Sequence, residues 1–188
     1  PLGSPCRAAA GTFLVLPFFN LTGDSKLDWI GESLCVAIRE TLATQGLLVY
    51  EREDRNEAFR RLSIRPYTQL TTASVLRLGE VLDADAVIYG QFELLPASPP
   101  SAESRGTLRI RANLIDIRKA ERLAELTELG PLEELERLQS HLAWQTWRTL
   151  APTTAPTRGQ FEAGRARLPV EASESYIRGL LAPDQEAK

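Results

Sequence analysis

Residues 12–50, TFLVLPFFNLTGDSKLDWIGESLCVAIRETLATQGLLVY, decide the fold. Thr12–Phe18 is an unbroken apolar run, the pattern of a strand buried on both faces. Pro17 falls near its end, where a missing N–H costs little. Phe19–Leu27 holds Asn, Gly, Asp and Ser and predicts a loop. Asp28 is placed to cap a helix. From Trp29 to about Gln45, Ile30, Leu34, Ile38, Thr41 and Leu42 fall on one helical face. Gly46 stops the helix, and Leu47–Tyr50 starts a second strand. Strand, helix and strand in this order require a parallel pair with a right-handed crossover.

Outward from this unit the signals alternate. Glu51–Arg61 is dense in both charge signs. It predicts a helix begun at Asp54 or Asn56, with Ala58, Phe59 and Leu62 inward and the charges on a solvated face. Ile64–Tyr67 breaks it. Thr71 or Thr72 caps a third helix, Ala73–Leu82, with Val75, Leu76, Leu78, Gly79 and Leu82 inward. Ala84–Leu95 reads as the third strand, and 96–105 as a Pro/Ser loop. Thr107–Ile117 alternates, with Leu108, Ile110, Ala112 and Leu114 on one face and Thr107, Arg109, Arg111 and Asn113 on the other, as in a half-buried antiparallel strand. Arg118-Lys119-Ala120 turns the chain and Arg122–Thr127 returns as a fifth strand. Gly130-Pro131 opens a helix through Leu150, seamed by Leu132, Leu135, Leu138 and Leu142 and widened by Trp144 and Trp147. The fold class is α/β, with a mixed, mainly five-stranded sheet in the order β-α-β-α-α-β-β-β-α, helices packed on it, and a C-terminal helical extension. Residues 1–11 form an arm, 12–150 the α/β domain, 151–170 a linker, and 171–188 the start of a helical unit whose apolar residues are Tyr176, Leu180 and Leu181.

Composition narrows the function classes. The chain has 188 residues, and its 43% hydrophobic content is too high for a disordered chain. A balance of 22 Lys+Arg against 25 Asp+Glu lacks the basic excess of a nucleic-acid binder. The apolar runs are too short to span a bilayer as a helix. One His and two distant Cys argue against a zinc site. Cys35, inside a helical pattern, reads as a small buried hydrophobe; a disulfide with Cys6 or a reactive thiol stays open. Residues 1–4 (PLGS) match the scar left when a protease removes an expression tag, and no Met is present, so the sequence is expected to be a piece of a longer chain.

Candidate chemistry is sparse. No nucleophile-elbow, phosphate-loop, dinucleotide or HExxH pattern is present, and His141 stands alone in the last long helix. No catalytic residue, metal ligand or cofactor is therefore expected. Two partner sites are. The loop Asn20, Thr22, Gly23, Asp24 and Ser25 follows the first strand, where open α/β sheets bind ligands. Arg109, Arg111, Arg118 and Arg122, with Lys119, form the one basic surface, suited to an acidic partner. Without interleaved aromatics it does not suit RNA or DNA.

The run FLVLPFFNLTGDSKLDWIGESLCVAIRETL resembles the opening of the TolB N-terminal-like family, itself similar to CsgG and FlgO modules. The matching residues are Leu16-Pro17-Phe18, Asn20, Thr22-Gly23-Asp24 and Trp29-Ile30-Gly31-Glu32. Ala84–Phe92 resembles the family's third strand, and LRIRANLIDIRKAERL its hairpin, with Lys119-Ala120 where the family has Thr-Gly. Leu135-x-x-Leu138-Gln139 matches the closing helix. EASESYIRGLL (171–181) is similar to the start of a tetratricopeptide array. The resemblance implies a non-catalytic interaction or assembly module heading a bacterial cell-envelope protein. Its partners would be other proteins or a second copy, and it would touch a membrane only through segments outside this sequence. It implies a periplasmic or membrane-anchored place, with a cytoplasmic one left open. A small-ligand sensor using the crevice after the first strand is the alternative function.

Overall fold

The structure is a computed structural model that describes residues 11–96, 105–163 and 169–182. The arm with Cys6 and most of the Pro/Ser stretch lie outside the described residues. The strands are β1 (Thr12–Val15), β2 (Phe19–Asn20), β3 (Leu48–Val49), β4 (Ala86–Leu95), β5 (Thr107–Asp116) and β6 (Glu121–Pro131). The helices are α1 (Asp28–Thr44), α2 (Arg52–Arg61), α3 (Thr72–Val81), α4 (Leu135–Leu150), α5 (Arg158–Ala163) and α6 (Val170–Leu181). The sheet runs β3-β1-β4-β5-β6, with β2 also on β4. β1 is parallel to β3 and β4, and β4-β5-β6 is an antiparallel meander. The expected mixed α/β class is the one found.

The first strand differs in a telling way from the single run expected over residues 12–18. Leu16 N still donates to Ile88 O, but Pro17 has no N–H to give. Regular pairing therefore lapses, and the chain rejoins β4 one step on as β2, with Phe19 opposite Gln91. Phe18 N donates instead to Gly31 O of α1 at 3.1 Å. A Cβ on Gly31 would lie 2.1 Å from Phe18 O, so only glycine lets strand and helix approach this closely.

Two apolar clusters sandwich the sheet. One gathers α1, α4 and α6 over Phe13, Val15, Ile88, Leu108, Ile110, Ala112 and Leu114. The other places Ala58, Phe59, Val75 and Leu78 of α2 and α3 over Leu14, Leu16, Val87 and Ile115.

Four local expectations are corrected. The cap before α1 is Asp24, whose carboxylate accepts from Lys26 N at the head of a 3-10 turn (Ser25–Leu27); Asp28 is already helical. α2 begins earlier, at Arg52, because Glu51 and Asp54 form a capping box. Pro131 does not open a helix but ends β6, since β5 offers a partner as far as Thr107; α4 starts after a 3-10 turn (Leu132–Glu134). On α6 the buried residues are Val170 and Ile177, with Leu181 packed beside them, whereas Tyr176 is 56% exposed and Leu180 39%. The stretch after Leu150 is held to α4 by its tryptophans: Trp144 Nε1 donates to Pro156 O and Trp147 Nε1 to Thr154 Oγ1, with Phe161 of α5 against the Trp147 ring.

Candidate functional site

The predicted loop is closed upon itself. Asn20 Nδ2 donates to Asp24 O and to Asp28 Oδ1, both at 2.8 Å. Asn20 Oδ1 accepts from Thr22 N and Thr22 Oγ1, and Asp24 N donates to Thr22 Oγ1. Gly23, at φ 76°, makes the tight return. Asn20, Thr22 and Asp24 thus spend their polar groups on the turn. Ser25 begins the 3-10 turn and is exposed.

The predicted basic residues are brought to the β4–β5–β6 meander, but each meets an acid. Arg109 and Arg111 share Glu93 across β4, at 3.0 and 3.5 Å. Arg118 reaches Asp85, Lys119 lies by Asp116, and Arg122 pairs with Glu125. These pairs are partly solvated and individually weak. The face they occupy is nonetheless distinctive. Among the described residues, the apolar cluster under α2 and α3 takes nothing from β6 and nothing from Thr107–Asn113. Leu129 of β6, opposite Arg109, is 57% exposed. β6 is also, among the described residues, the last strand of the sheet, so the outward-pointing backbone groups of this eleven-residue strand form an unpaired edge.

His141 Nδ1 lies 2.6 Å from Glu128 Oε1, and the ring stacks on Trp144. It is a packing residue at the α4–β6 contact. Among the described residues no group of three His, Cys, Asp or Glu could hold a metal ion, and no helix is long and apolar enough to cross a membrane.

A feature the sequence analysis missed lies at the carboxyl end of β1. Glu32 of α1 and Arg55 of α2, 2% and 5% exposed, form a buried ion pair at 2.8 Å. Arg55 also donates through Nη1 to Cys35 Sγ at 3.1 Å, and Cys35 Sγ donates to Val15 O. Burial, only partly offset by Arg55, pushes the Cys35 thiol up to about 12, so it is a neutral buried thiol. Arg52 Nε stands 3.8 Å from Glu32 Oε1, too far for a hydrogen bond. In sequence Glu32 and Arg55 sit 23 residues apart in segments that look amphipathic or solvated. A Glu in the WIGE turn on the buried side of α1 was the only hint.

No protein-family model and no curated protein matches the chain. Among solved structures it is similar to the LpoB C-terminal domain from Salmonella enterica, at 15% identity over 68% of this chain and 87% of that one, with a TM-score of 0.47. It is similar to lipoprotein GNA1162 from Neisseria meningitidis at 18% identity, covering 64% of this chain and 80% of that one, TM-score 0.49. TolB from Acinetobacter baumannii matches at 14% identity over 75% of this chain but 28% of its own, TM-score 0.47.

Proposed function

We propose that the chain is a non-catalytic protein-interaction or assembly module of a bacterial cell-envelope protein, acting through the open half of its sheet. The carrying observation is that, among the described residues, Thr107–Asn113 of β5 and all of β6 lie outside the cluster under α2 and α3, and that β6 has no strand on its outer edge. Such an edge can accept a further strand, its backbone giving affinity and neighbouring side chains giving specificity. Arg109 and Arg111 lie one strand in from it, on β5, and arginine serves binding surfaces well because its planar fork pairs with carboxylates. The sequence resemblance to TolB N-terminal-like and CsgG–FlgO modules supports the assembly role, with 12–150 as the module and 171–188 as the first helix of a tetratricopeptide array. The test is self-association and pull-down by an Arg109→Glu/Arg111→Glu double variant, with circular dichroism to verify folding. Loss of partners or of the oligomer by the folded variant supports the reading. Unchanged partners and oligomeric state would mean that the face only keeps the protein soluble.

A further inference from the structure

We propose that the cavity at the carboxyl end of β1 binds a small organic monocarboxylate with an apolar body. The place follows from topology. β1 lies between β3, reached through α1 on one sheet face, and β4, reached through α2 and α3 on the other. Such a switch point opens a crevice beyond the strand end, where α/β sheets take ligands. The cavity there is about 390 Å³, the size of a small-molecule site and room for roughly a dozen waters.

Its lining combines two chemistries. Pro17, Phe59, Ile64 and Pro66 are apolar, and the rest is polar and mainly cationic. Arg55 spends Nη1 on Cys35 and Nη2 on Glu32; Arg52 gives Nη1 to the Leu180 carbonyl. The Nε–H of each is buried without an acceptor in the protein. Both arginines line the cavity, as does Glu32. Two guanidinium groups against one carboxylate leave one positive charge, Cys35 being neutral. Arg60, at the rim, is already held by Glu57 through two 2.7 Å bonds. The Nε–H groups are closed to a water-sized molecule, so charge is what the lining offers, and one surplus charge suits a monoanion better than a dianionic phosphate.

The wall over the cavity is strained. Tyr67, a non-glycine residue lining the cavity, sits at φ 57°; Ser63, at φ 54°, is the left-handed residue that ends α2, with Ile64 N donating to Phe59 O. Strain like that at Tyr67 persists where the surroundings impose it, and it concentrates at ligand sites. The Tyr67 phenol lines the cavity, and burial, then the Glu32 charge, holds it above its ordinary pKa, so it remains an O–H donor.

Phenylacetate is a probe of this class, with phenylacetamide as its neutral isostere and inorganic phosphate as the dianionic comparison. Titration of labelled protein, followed by amide chemical shifts, should move residues 52–67 and the end of β1. Affinity should fall at least tenfold for phenylacetamide and for phosphate. Arg52→Gln, which keeps the buried pair, should weaken phenylacetate at least fivefold. Glu32→Gln/Arg55→Met, which removes both partners together, should abolish it while circular dichroism stays native. No shifts with phenylacetate, equal affinity for the amide, or unchanged affinity in both variants would each overturn the proposal. Tighter binding of phosphate than of phenylacetate would overturn the carboxylate assignment and leave an inorganic-oxyanion site in its place. The Arg109/Arg111 variant should bind phenylacetate as wild type, which separates this site from the open sheet face.

Discussion

At the scale of single residues, small positions carry as much of the fold as large ones. Trp29, 4% exposed in the main cluster, should cost about 3–5 kcal/mol as Trp29→Ala in urea melts, the range for large-to-alanine changes in cores. Gly31→Ala adds one methyl but sets it against the Phe18 backbone, which has no rotamer to yield. It should cost about 2–3 kcal/mol or more, the upper end for overpacking. Ala120 runs the other way. It sits at φ 53° in the β5–β6 turn, where an L side chain is strained. Ala120→Gly should therefore stabilise by about 1 kcal/mol, seen as a higher denaturation midpoint at unchanged slope. The buried Cys35 thiol should react with Ellman's reagent only through opened states, so its rate at a given reagent concentration should be far below that of the unfolded chain and should rise with urea as the open population rises.

At the scale of elements, helices differ in how firmly they are held. α1 is gripped on one side by the sheet and on the other by α4 and α6. α6 is tied down by Val170, Ile177 and Leu181, with Arg178 donating to Lys26 O. Few apolar residues hold it, so it should open below the global unfolding free energy. Ile177→Asp should bring amide exchange in 170–181 close to the unprotected rate while β4 and β5 amides keep their protection. Equal loss of protection in β4 and β5 would show α6 to be part of the cooperative core.

At the scale of the whole molecule, charge is arranged in local pairs. Most ion pairs are solvated i,i+3 or i,i+4 contacts or cross-strand pairs. Raising salt should accordingly change stability by less than about 1 kcal/mol. The Glu32–Arg55 pair differs in that both partners are buried. Arg55→Met alone strands the Glu32 charge and should cost about 3–5 kcal/mol, whereas Glu32→Gln/Arg55→Met should recover most of that loss. A double variant no more stable than Arg55→Met would show that the pair is not what Arg55 supplies.

Much of this was legible in residue order alone. The apolar run 12–18, the 3.6-residue face of 29–45 and the two-residue alternation of 107–117 each report which faces are buried, because local periodicity and burial are tied by backbone geometry. The strand–helix–strand order then fixed parallel pairing for the first strands. Predicted arginines on β5 did come to one face, since their spacing alone places them there. What residue order left open was whatever depends on partners distant in the chain. Glu93 and Asp85 neutralise the basic face, β5 extends β6 to Pro131, and α6 turns Ile177 rather than Tyr176 inward. The pairing of Glu32 with Arg55 is of the same kind. A charged residue in an amphipathic helix looks solvated until another element packs over it, and only the packed tertiary structure decides which charge is buried, with what partner, and beside what cavity.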